Sequence, residues 1–290
     1  MHLITNFSKR FSSVFSGNTL LIPKEYSLAS KPHDFQIKQI ERPLEKINVK
    51  HKNGILMLKG FQNSTLSVNS DACVKLDGIL GSNISIVSKK CYSDKPFSGS
   101  GSIECDEINL KNLMSDSISL RAKSINLDSY YVNNLNLSAE HKASVNIGCG
   151  NGDTNISLEN EANVSIKHFE NGSLNHMQKE GSLSLFLDDS VSNLNIYMGE
   201  GIIEIHLSEP KNISSLYIDC TELEISDDVK NFIHDENRIE MPESVQYSAV
   251  FAVLNNIEPE NLWKVHVLKG KVKICLKSGW IDSIVKDFNK

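Results

Sequence analysis

The sequence predicts an all-β fold: a capped parallel β-solenoid (β-helix) of short stacked strands, with a small C-terminal capping segment. Polar and aliphatic residues alternate from residue 55 to residue 228, and the alternation restarts at intervals of about seven to eleven residues. These intervals are too short to hold a helix between parallel strands. The aliphatic residues are almost all Ile, Leu and Val, which suits coils that stack like side chains on like.

Each restart contributes a pair of aliphatic residues two positions apart, and this period sends both side chains to one face of a strand. The pairs are Leu66/Val68, Val74/Leu76, Ile84/Ile86, Ile108/Leu110, Ile118/Leu120, Ile125/Leu127, Leu135/Leu137, Val145/Ile147, Ile156/Leu158, Val164/Ile166, Leu183/Leu185, Leu194/Ile196, Ile203/Ile205, Leu216/Ile218 and Leu223/Ile225. At about 20 residues per coil, the region holds about nine coils. Outward Asn and Ser side chains are expected to form ladders or to bond turn backbones.

A β-sandwich or barrel is the alternative, and it would need a tight hairpin at most junctions. Asn-Gly or Asp-Gly pairs, which mark such hairpins, occur at Asn53-Gly54, Asp77-Gly78, Asn151-Gly152 and Asn171-Gly172. Most junctions lack one. The pattern therefore favours the solenoid.

Four segments follow from this pattern. Residues 1–24 form a transit peptide or a disordered tail, residues 25–54 an N-terminal cap, residues 55–228 the solenoid, and residues 229–290 a C-terminal cap with a short helix and terminal strands. Caps are expected because the two ends of a solenoid would otherwise expose open strand edges.

The C-terminal cap has signals of its own. Ser226 and Asp227 are suitable N-caps for a short helix. Residues 263–285 alternate on both sides of Lys269-Gly270, which predicts two strands. The tryptophans of the chain both lie here, and we expect them to plug the coil end rather than to stack on a ligand: Trp263 and Trp280.

The first 24 residues contain no acidic side chain and many serines. On a helix, Phe7, Phe11 and Phe15 would form one stripe, with Lys9 and Arg10 beside it. This pattern is typical of a transit peptide and predicts a mitochondrial location, the alternatives being a disordered tail and a cytoplasmic protein. In either compartment N-x-[ST] sites would carry no glycan, among them Asn63, Asn83, Asn136, Asn155, Asn163, Asn171 and Asn212.

The sequence argues against nucleic acid as a partner and against a transmembrane helix. The formal charge is -6, and only four of the 30 basic residues are Arg, so the concentrated Lys/Arg face that nucleic acid requires is missing from the sequence. No apolar run approaches the roughly 20 residues that a transmembrane helix needs.

The six cysteines are widely spaced, without a C-x-x-C pair: Cys73, Cys91, Cys105, Cys149, Cys220 and Cys275. This spacing predicts free thiols in a reducing compartment rather than a zinc site or a disulfide scaffold. Cys149 is expected to be unreactive, because the nearest cations in sequence, His141 and Lys142, are too far along the chain to activate it.

The stretch NIGCGNGDTNISL, residues 146–158, holds three glycines and an aspartate between two alternating runs. It leads into a strand and contains no Lys, so it matches neither a P-loop nor a dinucleotide loop. We predict a corner in which Gly150 has a positive φ, and in which Asn151 and Asp153 bond the turn backbone rather than an ion.

Several phrases are repeated with Gly, Asn and Ser between them, among them DSISLRAKSINLDS, GNGDTNISLENEANVSI and EGSLSLFLDD. With them, residues 45–285 resemble the adhesin-like domain family, and the closing KGKVKICLKSGWIDSI is similar to the end of an animal member. Gly279, between Ser278 and Trp280, departs from that ending. The resemblance implies a right-handed β-solenoid and, for the animal members, a mitochondrial location. It implies no catalytic activity and no functional residues.

Carbohydrate-active β-helix enzymes are the enzymatic alternative, and they cut with converging carboxylates. Adjacent carboxylates occur at Asp106-Glu107, Asp188-Asp189 and Asp227-Asp228, and Arg121 follows Asp116. Neighbours on a strand point to opposite faces, so these pairs do not converge by themselves. The nine histidines show no metal-binding spacing. The sequence thus predicts no catalytic, cofactor-binding or metal residue and no cofactor.

These observations predict a non-enzymatic scaffold or binding module for an unknown protein partner, with its oligomeric state left open. A carbohydrate-active β-helix enzyme or a lectin is the alternative. An enzyme would be distinguished by three or more acidic or basic side chains that converge on successive coils.

Overall fold

The predicted β-solenoid is confirmed by the structure, a computed structural model in which the strands form a parallel β-solenoid of about 8 turns. The structure describes residues 14–16, 19–22, 26–28, 35–39, 47–139, 142–188, 190–208, 215–251 and 262–276. The chain divides into two compact units, residues 1–125 and residues 126–290.

The first unit consists of short strands followed by longer ones that continue around corners. They are β1 (Val14–Ser16), β2 (Thr19–Ile22), β3 (Tyr26–Leu28), β4 (Phe35–Gln39), β5 (Ile47–His51), β6 (Ile55–Lys59), β7 (Thr65–Ser70), β8 (Cys73–Asp77), β9 (Ser82–Val87), β10 (Lys90–Glu104) and β11 (Glu107–Arg121). β1 and β2 are antiparallel, whereas β2, β4, β6, β8 and β10 pair in parallel, as do β3, β5, β7, β9 and β10. Each coil therefore presents two strand faces.

Parallel pairing is already present within residues 25–54, the segment that the sequence predicts as an N-terminal cap. β3, β4 and β5 already pair in parallel with strands of the neighbouring coils. Of the predicted N-terminal Phe stripe, Phe7 and Phe11 lie outside the described residues, while Phe15 lies in β1. The transit-peptide interpretation remains a prediction.

β12 (Ser124–Ala139) begins at the end of the first unit and continues into the second. The rest of the second unit consists of two long strands, a series of short elements and a long C-terminal strand. These elements are β13 (Ala143–Leu187), β14 (Val191–Leu207), β15 (Ser215–Cys220), β16 (Glu222–Ile225), α1 (Asp227–Lys230), β17 (Ile233–Met241), β18 (Ser244–Phe251) and β19 (Leu262–Leu276). β13 and β14 run in parallel and in register, so that Leu174 lies beside Leu194 and Leu183 beside Ile203.

The predicted inward pairs form the core. Every member of the fifteen pairs is buried, except Ile225, which is half-buried. Register places Val49, Val68, Ile86 and Ile103 side by side on successive strands. Full burial of a Val, Leu or Ile side chain contributes about 1.5 to 3 kcal/mol, so these columns supply much of the stabilising free energy.

The C-terminal strand joins the stack out of sequence order. β19 lies between β14 and the β15–β16 pair and is parallel to both. The two strands predicted around Lys269-Gly270 are in fact one continuous strand, because the backbone turns at Gly270 without losing its pairing to β14. Gly270 lies directly beside Gly201 of β14, where two glycines allow the backbones to turn together.

Trp263 belongs to the core rather than to a plug at the coil end. It is 1% exposed, lies between Leu194 and Leu216, and donates a hydrogen bond from its indole N–H to the Val191 carbonyl at 3.2 Å. Trp280 lies outside the described residues.

The end of the second unit holds the predicted short helix and an antiparallel hairpin. α1 begins after Ser226, whose side chain makes no capping hydrogen bond. β18 is antiparallel to β15, and β17 is antiparallel to β18. Side chains of β17 are exposed from His234 onward and include five that can carry charge, a composition that discourages edge-to-edge pairing.

The described part of the chain contains no helix of the length and apolarity needed to cross a membrane. All six cysteines lie in the described residues as free thiols, as predicted. Cys91 and Cys220 are buried and the other four are half-buried.

Candidate functional site

A ladder of asparagine side chains follows one outer face of the second unit. Asn155 donates a hydrogen bond to Asn136 at 3.2 Å, Asn175 donates to Asn155 at 3.0 Å, and Asn195 donates to Asn175 at 3.0 Å. The residues are 19 or 20 positions apart, so each coil places one amide above the last. The expectation that outward asparagines form ladders is confirmed.

A second outward row runs beside this ladder and contains large side chains. Two positions after Asn155, Asn175 and Asn195 stand Ser157, Met177 and Tyr197, and the Met and Tyr side chains are 59% and 45% exposed. Such exposure is high for side chains of this size, which normally lie inside. The two rows border a groove of about 380 Å³, which we call the ladder groove.

β19 extends the ladder groove by one coil and brings charge to its end. Lys264 lies beside Asn195, and His266 lies beside Tyr197. The His266 ring is tilted against Tyr217 at 5.5 Å between centroids, and its Nδ1 lies 3.8 Å from an Asp219 carboxylate oxygen. Amides, an aromatic ring, a thioether and a cationic end thus share one concave surface.

The GCGNGD stretch forms a corner of the coil, but a different glycine makes the turn. Gly152 has a φ of 109°, whereas Gly150 has no positive φ, so the prediction for Gly150 was wrong. Gly150 is needed for space, since a Cβ there would lie 2.6 Å from the Tyr130 hydroxyl oxygen. Because Tyr130 approaches from another coil, no local pattern could reveal this.

Asn151 and Asp153 bond to residues of the next coil rather than to the backbone of their own turn, which was the prediction. Asp153 accepts a hydrogen bond from the Ser173 backbone N–H at 3.0 Å. Thr154 is buried and shares a 2.6 Å hydrogen bond with the Tyr130 hydroxyl. Burial raises the pKa of Tyr130 well above its usual value.

Cys149 is deactivated by burial and by a carboxylate that its thiol faces. Its Sγ donates a hydrogen bond to Glu170 Oε1 at 3.1 Å, and Asn151 donates to the other oxygen of that carboxylate at 3.4 Å. Burial first and the Glu170 carboxylate second raise the pKa of Cys149 to about 12. The thiolate, which is the nucleophilic form, is therefore disfavoured.

The adjacent carboxylates are used in ion pairs along the coils. Asp106 lies 2.9 Å from Lys123, and Glu107 lies 2.5 Å from Lys90; each ammonium lowers the pKa of its partner carboxyl. Asp227 pairs with Lys230 at 2.8 Å within α1. Neither Asp106-Glu107 nor Asp227-Asp228 converges on a groove in these contacts.

Acidic and basic side chains do converge around His168. Its Nε2 lies 3.9 Å from Glu170 and 3.6 Å from Asp188, while its ring stacks on Phe186 at 4.9 Å. Asp189, the neighbour of Asp188, lies outside the described residues. Both oxygens of Glu170 already accept hydrogen bonds from Cys149 and Asn151, which favours a structural role for this cluster.

A second convergent cluster joins strands far apart in sequence. Glu204 and His206 on β14 lie beside Cys275 on β19, and one ligand atom from each side chain lies within 4.8 Å of the others. The sequence predicted no metal ligands, because its spacing rules consider residues within a short turn. His206 and Cys275 are separated by 69 positions, and only the pairing of β14 with β19 brings them together.

No protein-family model, no curated protein and no solved structure matches this chain. The resemblance to the adhesin-like domain family therefore stays a prediction based on the quoted phrases.

Proposed function

We propose that this chain is a non-enzymatic binding module and that the ladder groove receives a segment of a protein partner. The observation that carries the proposal is the row of stacked amides beside exposed Met177 and Tyr197. The two inner ladder amides, Asn155 and Asn175, each use one N–H and one oxygen lone pair in the ladder. Each therefore has a second N–H and a second lone pair for a ligand.

A polypeptide suits this combination of groups. Backbone N–H and C=O groups match amide acceptors and donors, and an apolar side chain of the partner would cover Met177 and Tyr197. Met and Tyr are enriched in protein interfaces, and a flexible thioether adapts to irregular apolar shapes. Sugar binding uses aromatic rings and amides as well, but it gives no reason for a half-exposed Met.

One observation favours the enzymatic alternative: His168, Glu170 and Asp188 meet on successive coils. A hydrolase would need one of these carboxyl groups to act as an acid or a nucleophile. Glu170 instead accepts hydrogen bonds from Cys149 and Asn151. The cluster supports a role in holding the corner together.

The test is affinity purification of the tagged full-length chain from its native compartment. We compare wild type with Met177→Glu, which places a charge in the ladder groove, and with Tyr131→Glu, which changes a side chain that is 62% exposed elsewhere in the same unit. We expect one protein to be captured by wild type and Tyr131→Glu, to be lost with Met177→Glu, and to bind the wild-type chain when both are purified.

Three results would contradict the proposal. Equal capture by Met177→Glu would remove the ladder groove from the interface. Binding to a panel of purified glycans that is lost in Tyr197→Ala would show a lectin. Release of sugars from a polysaccharide by wild type, but not by Glu170→Gln, would show an enzyme.

A further inference from the structure

Three side chains of different ligand types meet where the C-terminal strand pairs with β14. Glu204 and His206 alternate with the buried Ile205 and so point outward, and Cys275 is the register partner of His206 on β19. The cluster is half-buried, with His206 28% and Glu204 37% exposed, so an ion can reach it from solvent.

The distances suit a small tetrahedral ion. Cys275 Sγ lies 3.1 Å from His206 Nδ1, and a Glu204 oxygen lies 3.6 Å from the other ring nitrogen, Nε2. One ligand atom from each of the three side chains lies within 4.8 Å of the other two. Two ligand atoms on one Zn²⁺ stand about 3.5 Å apart, given bonds of about 2.3 Å to sulfur and about 2.0 Å to nitrogen. Small side-chain rotations would let one imidazole nitrogen, the thiolate and the carboxylate share an ion.

We propose that Glu204, His206 and Cys275 form a Zn²⁺ site that ties β19 to β14. Thiolate and imidazole together favour Zn²⁺ over the hard cations Mg²⁺ and Ca²⁺, which take oxygen ligands. As the Sγ–Zn bond forms, the thiol proton leaves to solvent. Three protein ligands leave the fourth position to water.

Lys273 orients the carboxylate of this site. Its Nζ lies 3.2 Å from Glu204 Oε1, whereas the other oxygen, Oε2, faces His206. Lys273 is also the register partner of Glu204 on β19, so the same strand pairing that supplies Cys275 supplies this contact. Ligating carboxylates in proteins are commonly held by such a neighbour. The site is independent of any partner in the ladder groove.

The experiment uses the full-length chain, stripped of metal with a chelator and kept reduced. Zn²⁺ is titrated in competition with a chromophoric chelator, and Co²⁺ is added separately as a spectroscopic probe. We expect one equivalent of Zn²⁺ to bind and to raise the midpoint of thermal unfolding. Bound Co²⁺ should show a thiolate-to-metal charge-transfer band.

Cys275→Ser should abolish that band and weaken Zn²⁺ binding by at least about tenfold, and Glu204→Gln should weaken binding by a similar factor. Cys149→Ser is the matched control, because it removes another half-buried thiol that faces a carboxylate. It should bind Zn²⁺ as wild type does. Far-UV circular dichroism checks that each variant folds; if Cys275→Ser does not, Glu204→Gln and His206→Gln decide the question.

The proposal would be overturned if stripped wild type bound no Zn²⁺. Binding by Cys275→Ser or by His206→Gln with wild-type affinity would also overturn it. A loss of the charge-transfer band in Cys149→Ser alone would assign the ion to another thiol and likewise reject this site.

Discussion

A buried histidine is expected to make this protein acid-sensitive. His176 is 3% exposed, and its Nε2 lies 2.9 Å from Gln178 Oε1. The Gln178 amide nitrogen donates to the carbonyls of Ala162 and Glu180, so its oxygen accepts and the histidine Nε2 donates. Nδ1 finds no hydrogen-bond partner in the described part of the chain. A second proton would therefore sit buried and unpaired.

The magnitude follows from proton linkage. Burial lowers the pKa of His176 from 6.5 to about 4. Between these values the unfolded chain binds more protons than the folded one, so stability falls as the pH drops below 6.5 and levels off below about 4. The loss near pH 5 amounts to about 2 kcal/mol, and it approaches about 3 kcal/mol at pH 4.

The assay is urea unfolding of wild type and His176→Leu at about pH 7.5 and about pH 5. The Leu side chain would pack beside Ile196, its register neighbour, and cannot take a proton. We expect the drop in unfolding free energy to shrink by about 2 kcal/mol in His176→Leu. His234→Gln, at an exposed position of β17, should keep the wild-type drop. Parallel losses in wild type and His176→Leu would refute the reasoning.

Two further predictions concern the corner. Gly152→Ala should lower the free energy of unfolding by more than about 2 kcal/mol, because the added Cβ would strike the Val132 carbonyl and φ is 109°. Gly60→Ala, where φ is 70° and the space around the new Cβ is open, should lower it by about 1 kcal/mol. Equal costs in urea unfolding would show that the contact is absent. Burial and, after it, the Glu170 carboxylate raise the pKa of Cys149, so Glu170→Gln should increase the alkylation rate of Cys149, read by mass spectrometry, at least about threefold. An unchanged rate would argue against that contact.

The sequence could predict what depends on local period. Alternation placed residues such as Leu66, Val145 and Ile203 inside, and the structure buries all three. The stacked asparagines were also expected, from the abundance of Asn and from the regular spacing of the short strands. Helix α1 was expected from Ser226 and Asp227, because an N-cap signal in a short polar stretch is local and does not depend on the surrounding fold.

What depends on long-range pairing could not be predicted. The position of β19 between β14 and β15 leaves no local trace, because strand partners are chosen by packing and not by neighbours in sequence. For the same reason the sequence could not predict the contact of Gly150 with Tyr130. Nor could it predict the contact of His206 with Cys275, because a separation of 69 positions matches no ligand motif.

The most direct test of the central claim places a photo-crosslinking amino acid at position 177 of the full-length chain in its native compartment. A second chain carries it at position 131, which is equally exposed in the same unit. The account predicts a covalent adduct with one polypeptide from position 177 and no such adduct from position 131. The same adducts from both positions, or no adduct from position 177, would contradict the claim that the ladder groove receives a protein partner.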